Sequence, residues 1–226
     1  MLSKIRKGIV RCIKSYPNVV NFFPFNNKIH LPGTDFQCEG ILKHCVVKCS
    51  GQRNQIIIDR GGVLHDCTIN IFGNNNILHI KDNVTMIEGR IVICDSDNMV
   101  LIGEHTGFNR NVVLDCMEGT QLVIGDNCLF SADIVVRTGD WHSIYDESGF
   151  RINTSRDTII GKHCWIGDRV SITKGVTLAD NTVVGTGAVV TKSVKESNTI
   201  IVGNPAKIIK KNIQWDTLRN EKLIKD

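Results

Sequence analysis

The chain has 226 residues, 42% of them hydrophobic and 22% charged, with a formal net charge of +4 at pH 7. Such a chain reads as one soluble globular domain large enough to bury a core, and its mild basic excess suits anionic ligands without naming one. Its nine Cys, odd in number and without a C-x-x-C pair, exclude a disulfide framework and fit reduced thiols.

Residues 1–40 are expected to form a basic N-terminal segment. Lys4, Arg6, Lys7, Arg11 and Lys14 interleave with Ile5, Ile9 and Ile13, a spacing that predicts a short amphipathic helix ending near Pro17. It packs on the end of the domain; weak peripheral membrane contact is the alternative. The apolar runs are too short for a signal peptide or a spanning helix; the cytoplasmic location expected here rests on the reduced thiols.

From 41 to 208 the chain is periodic. "NQIIIDRG", "NILHIKDN", "NMVLIGEH" and "TQLVIGDN" align at Ile58, Ile80, Ile102 and Ile124, a step of 22 residues. A second track runs Val47, Ile69, Ile91, Val113 and Val135. Cys45 with Cys67, Cys94 with Cys116, and Asn54 with Asn76 and Asn98 repeat at the same step. Beyond this the unit shortens to six, with Ile160, Ile166, Ile172, Leu178 and Val184 at its first positions. One aliphatic every sixth residue predicts three short faces per coil, stacked at the usual strand spacing of roughly 4.8 Å. The repeated Cys then act as small hydrophobes and the Asn amides bond along the axis.

Counted at 22 residues, the unit after Ile124 should begin near position 146, yet the next clean one begins at Ile160. About 14 residues are therefore inserted, within an expected loop of about 139–157. A solenoid tolerates insertions at its corners, and such loops often carry function. This one contains His142, framed as Asp140-Trp141-His142-Ser143-Ile144-Tyr145-Asp146. A His can take and return a proton near neutral pH, and a carboxylate on one ring nitrogen would fix its tautomer. Asp140, Asp146 and Glu147 are all within reach by sequence.

The tandem hexapeptides resemble the left-handed β-helix acyltransferases of the hexapeptide-repeat class. The implied fold is an all-β solenoid, a left-handed parallel β-helix with a protruding catalytic loop and a C-terminal helix over 209–226. The family coil has 18 residues, so the four extra ones of the first half are expected at a corner. The string D-x-H-x-I-x-D looks like the catalytic loop of O-acetyltransferases that modify sugars and capsular polysaccharides, and the net positive charge is compatible with an acidic acceptor such as polysialic acid. The resemblance implies His142 as general base for direct attack of a sugar hydroxyl on acetyl-CoA, with no covalent acyl-enzyme and no metal.

"CWIGDRVSITKGV" is similar to the family's W-I-G unit. It implies Trp165 beside the acceptor or pantetheine, with packing between subunits as the alternative, and Gly167 and Lys174 toward the coenzyme. "VVGTGAVVTK" and "GNPAK" resemble the family's ending. They imply coenzyme contacts from Gly187, Ala188, Lys192, Asn204, Pro205 and Lys207, the lysines meeting phosphates. His30, His44, His65, His79, His105 and His163 hold no common phase, so no metal site is expected. The expected protein is a homotrimeric acetyl-CoA-dependent O-acetyltransferase with a sugar or polysaccharide acceptor and no nucleic-acid partner. N-acetylation of an amino-sugar nucleotide and a non-catalytic β-helix scaffold are the alternatives.

Overall fold

The computed structural model describes residues 26–218, in which the chain coils into a three-faced parallel solenoid. Face A stacks eight strands from Lys28–His30 to Val189–Val190, and face B seven from Thr34–Cys38 to Thr177–Leu178. Face C stacks nine, from Ile41–Lys43 to Ala206–Lys211. The last pair is antiparallel, Thr199–Gly203 turning back into Ala206–Lys211. Residues alternate inward and outward along each strand, and a single apolar column runs up the axis.

Several corners need left-handed backbone. Turns from face B to face C above the first place one residue there, among them Asn83, His105, Asn127, His163 and Asn181, with φ between 52° and 58°. Asn and His tolerate that region better than most residues. His44 does the same at a corner from face C to face A, with φ 54°. Three of the six His outside the loop are thus accounted for as corner residues.

The extra residues of the first half are not absorbed at a corner. A 22-residue coil buries Cys67, Ile69 and Ile71 on face A, Asn76, Leu78 and Ile80 on face B, and Val84 and Met86 on face C. The 18-residue coils bury two residues per face: Val170 and Ile172, Val176 and Leu178, Thr182 and Val184. Faces A and B are each longer by one inward–outward pair, which adds a buried side chain where a corner insertion would add none. The solenoid is wide below and narrow above.

Face B keeps the expected register, Ile58 pairing with Ile80, Ile80 with Ile102 and Ile102 with Ile124. Face A slips once: Ile91 pairs with Leu114, not Val113, so Leu114 and Val136 are buried while Val113 and Val135 turn outward. A residue gained before Val113 is offset by one lost after Met117, which leaves face B in step. Cys94 consequently pairs with Met117 and Cys116 with Ile93. All eight described cysteines are free, and burial pushes the Cys38 thiol up to about 11.

The solenoid is under way at Lys28, inside the stretch assigned from sequence to the N-terminal segment, because Ile29 and Leu31 are already core residues. The expected basic helix lies outside the described residues. Ala206–Lys211 is a strand whose second half runs into the range 209–226 expected as the C-terminal helix, and no helix follows through 218. Its β-branched Ile208 and Ile209 suit a strand, and Lys207, Lys210 and Lys211 charge its outer edge. Residues 219–226 lie outside the described residues.

Candidate active site

The period breaks between Val135–Arg137 on face A and Thr158–Ile160 on face B. Ile124 pairs with Ile160, a step of 36 residues where the preceding coil has 22. The loop leaves from the corner between faces A and B, at the level where both faces narrow. Thr138 is the last buried residue of the wide face A, and its hydroxyl lies 2.7 Å from that of Thr120. Lys174 holds the matching position one coil higher, since Val136 pairs with Ile172, and its ammonium reaches into the loop.

Side chains stitch the loop to both coils. Asn153, only 8% exposed, donates through Nδ2 to Asp140 Oδ2 (3.0 Å) and to the His142 carbonyl (2.8 Å). Its Oδ1 accepts from the Ile144 N–H (2.7 Å) and Arg151 Nε (3.3 Å). Lys174 Nζ donates to Asp140 Oδ2 and to the Asn153 carbonyl at 2.6 Å. From the coil below, Glu118 pairs with Arg151 Nη2 (2.8 Å) and accepts from Ser155 Oγ (2.8 Å). Asp115 accepts from Arg137 Nε (3.3 Å) and Trp141 Nε1 (3.4 Å). Burial pushes the Asp140 carboxyl up, but Lys174 and Asn153 outweigh it and hold it below the usual range. Arg151 beside Glu118 lowers that carboxyl too.

His142 is exposed at the centre of this construction, and its own N–H donates to the Asp140 carbonyl at 2.8 Å. Neither candidate carboxylate meets its ring. Asp140 is occupied by Lys174 and Asn153. Asp146 caps the hairpin tip, accepting from Ser148 N and Oγ and from Phe150 N at 2.9–3.0 Å. Glu147, the third candidate, makes no hydrogen bond or ion pair among the described residues. An exposed imidazole fixed through its backbone can accept a proton from a docked hydroxyl.

Trp165 lies on face C, 40% exposed, in register with Leu129 and Val183. Trp215 approaches it at 5.8 Å between ring centroids, stacks on His163 at 4.3 Å, and donates Nε1 to the His163 carbonyl (2.9 Å). Trp215 escaped the sequence reading because it falls in the stretch read as a helix. Gly167 sits at the corner from face C to face A, where an added Cβ would come within 2.8 Å of Thr186 N. Gly187, at the same corner one coil up, has φ +71° and open space around it. Ala188, expected beside the coenzyme, points into the core instead, because it follows the turn as the first inward residue of face A. Lys174, also expected at the coenzyme, is engaged by the loop. Lys192 is exposed one coil above Lys174, and Asn204, Pro205 and Lys207 are exposed on the terminal hairpin of face C. One protomer therefore separates the loop and Lys192 from Trp165, Gly167 and Gly187, which lie on face C or at its other corner.

At the other end of the stack, His44, His65 and Asp66 meet at one corner, each with a potential metal-ligand atom within 4.8 Å of the others.

The family described as bacterial transferase hexapeptide (six repeats) matches residues 157–192. A polysialic acid O-acetyltransferase of Neisseria meningitidis is 59% identical over 81 residues, 35% of this chain and 38% of that protein. A polysialic acid O-acetyltransferase of Escherichia coli O1:K1 / APEC is 37% identical over 95 residues, 42% of this chain and 31% of that protein. The matched stretches thus span about a third of these curated relatives. Among solved structures, the polysialic acid O-acetyltransferase OatWY is 31% identical with a TM-score of 0.65, covering 84% of this chain and 94% of that one. The chain belongs to the hexapeptide-repeat transferases. The polySia-specific acetyltransferase NeuO aligns equally well, at 33% identity and TM-score 0.66, over 84% of this chain and 82% of that one.

Proposed function

We propose that the protein is an acetyl-CoA-dependent O-acetyltransferase acting on a hydroxyl of an acidic surface polysaccharide of the polysialic type. The observation that carries the reading is His142, an exposed imidazole backed by the anchored side chains of Asp140, Asn153 and Lys174 and by the Glu118–Arg151 pair, at the 36-residue step in the described coils. Likeness along most of the chain to two polysialic acid acetyltransferases supports the acceptor class.

The acceptor hydroxyl gives its proton to an imidazole nitrogen of His142 as its oxygen attacks the thioester carbonyl. The tetrahedral oxyanion is met by backbone N–H groups. Its collapse breaks the C–S bond, and the imidazolium returns the proton to the departing thiolate. Acetyl ester and free coenzyme leave, and no acyl-enzyme or metal takes part. Gly167 and Gly187 let the coenzyme approach the coils, and Lys192 and Lys207 meet its phosphates.

Because the loop and Trp165 lie on different sides of one protomer, we read the site as shared. His142 comes from one subunit and Trp165 from its neighbour in a homotrimer. The enzyme works in the cytoplasm, with its basic N-terminal segment able to touch a membrane surface.

The test is transfer from labelled acetyl-CoA to polysialic acid, neutral capsular glycans and amino-sugar nucleotides. Base-labile ester label on polysialic acid is expected, and His142→Ala should lower it by about a hundredfold or more. Label appearing only as amide on an amino sugar, or full turnover in His142→Ala, would sink the reading.

A further inference from the structure

We propose that Asp115 is a positioning residue for this transfer: it latches the Trp141 indole and thereby holds His142 in a strained turn. The proposal rests on His142 being the base.

Asp115 belongs to the strand Val113–Met117 on face A, in register with Val92 below and Arg137 above. Its register is an outward one, normally open to solvent on a solenoid. It is nevertheless 1% exposed, in register beneath Arg137 and within reach of Trp141 of the loop. One oxygen takes two long hydrogen bonds, from Arg137 and Trp141. The other oxygen, Oδ1, is buried without any partner among the described residues. A half-satisfied buried carboxylate is a poor device for stability. Lower in the same column Lys48 is exposed and Asn70 half-buried, and Val92, directly beneath, is buried but carries no charge.

The residue it grips is itself strained. Trp141 has φ +64°, and the N–H of His142 donates to the carbonyl of Asp140 across it. That is a γ-turn of the positive-φ kind, rare and strained, and unusual for a bulky side chain. Such a conformation persists only where the surroundings over-determine it. Hydrogen bonds at three points do so: from Lys174 and Asn153 to Asp140, from Asn153 to the His142 carbonyl, and from the Trp141 indole to Asp115. The first two clamp the ends of the turn. Among the described residues Asp115 is the one hydrogen-bond partner of its central side chain, so it sets the direction in which the next side chain, His142, leaves the backbone.

Trp141→Phe removes the indole N–H and keeps the ring, and Asp115→Ala removes the acceptor. Each should lower kcat on the order of tenfold through misplacement of the base, with both KM values within twofold and an unchanged melting temperature. The double variant should lose no more than either single one, and Asp115→Asn, whose amide oxygen still accepts the N–H, should recover most of the rate. Parent-level kcat in Trp141→Phe overturns the latch, as do losses that multiply in the double variant. Asp115→Ala can fail to fold; Trp141→Phe then decides alone. His142→Ala is measured in parallel. If it is inactive while Trp141→Phe is at parent level, the latch alone falls; if it keeps its turnover, the base assignment falls.

Discussion

Asn153 and Asp140 are joined by a 3.0 Å hydrogen bond across the neck of the loop. The same amide reaches the carbonyl of His142 and receives the N–H of Ile144, so one buried side chain spans the segment that presents the base. The loop has no strand ladder of its own beyond the Tyr145–Arg151 bridge. Its shape therefore depends on side chains far more than the coils do.

Asn153→Ala should release this segment while leaving the coils intact. Removing a buried hydrogen-bonding hub costs about 1–3 kcal/mol locally. The expected outcome is a kcat loss on the order of tenfold or more, with an unchanged thermal transition of the solenoid. Protease should cut first between 140 and 155. A variant with parent-level kcat and a resistant loop would show that Asn153 is dispensable.

Lys174 and Lys192 should separate in kinetics although they lie one above the other. Lys174 is committed to Asp140 and Asn153, so Lys174→Ala should lower kcat and leave the KM for acetyl-CoA unchanged. Lys192 is exposed and free to meet a phosphate, so Lys192→Ala should raise that KM about tenfold, the usual scale of a charge-assisted contact. Lys207→Ala should weaken acetyl-CoA more than its dephospho form. Equal behaviour of Lys174→Ala and Lys192→Ala would return Lys174 to the coenzyme.

Acid should loosen the loop before it melts the coils. Glu118 is lowered by Arg151, and Asp140 is lowered because Lys174 and Asn153 outweigh burial. A carboxyl with a depressed folded-state pKa binds protons more readily when its ties are broken. These ties are thus at full strength above the ordinary carboxylate range, about pH 4, and weaken as pH falls through the depressed values. Hydrogen exchange at the Ser155 and Ile144 amides, corrected for its intrinsic pH dependence, should accelerate below that range. Core amides such as Ile102 should keep their protection. Uniform loss of protection at both sites would contradict a separate acid-labile loop.

The hexads from Ile160 to Val184 were plain in the sequence because one aliphatic per six residues has a single structural solution. The break, and His142 within it, followed from the same count. The slip at Leu114 was not legible: in "NVVLDCM" Val113 and Leu114 are both apolar, and alternation cannot say which faces in. Nor was the width of the lower coils, since a lengthened face and a swollen corner use the same number of residues. Asn153 reads as one more turn former, and only packing makes it a hub. Asp115 reads as an outward strand residue, which it is; what covers it arrives more than twenty residues later.

The stacked amides make the last prediction. Asn76 Oδ1 accepts from the N–H and the side-chain amide of Asn98, both at 3.0 Å, and its Nδ2 donates to the Asp95 carbonyl. Asn98 Oδ1 then accepts from the Thr120 N–H (3.1 Å), and the Thr120 hydroxyl meets that of Thr138 at the root of the loop. Polar contacts thus climb the corner between faces A and B and end where the loop leaves. Asn76→Leu strands the Asn98 N–H and the Asp95 carbonyl, and should cost about 2–4 kcal/mol of stability. Its folded fraction should keep parent-level kcat, because the root of the loop lies above the damage. Thr120→Val, nearly isosteric, should cost only about 1–2 kcal/mol yet lower kcat several-fold, since it cuts the contact to Thr138 itself. Denaturant unfolding and kcat measured on both variants check the contrast. If Thr120→Val loses stability alone, the ladder supports the coils without reaching the site.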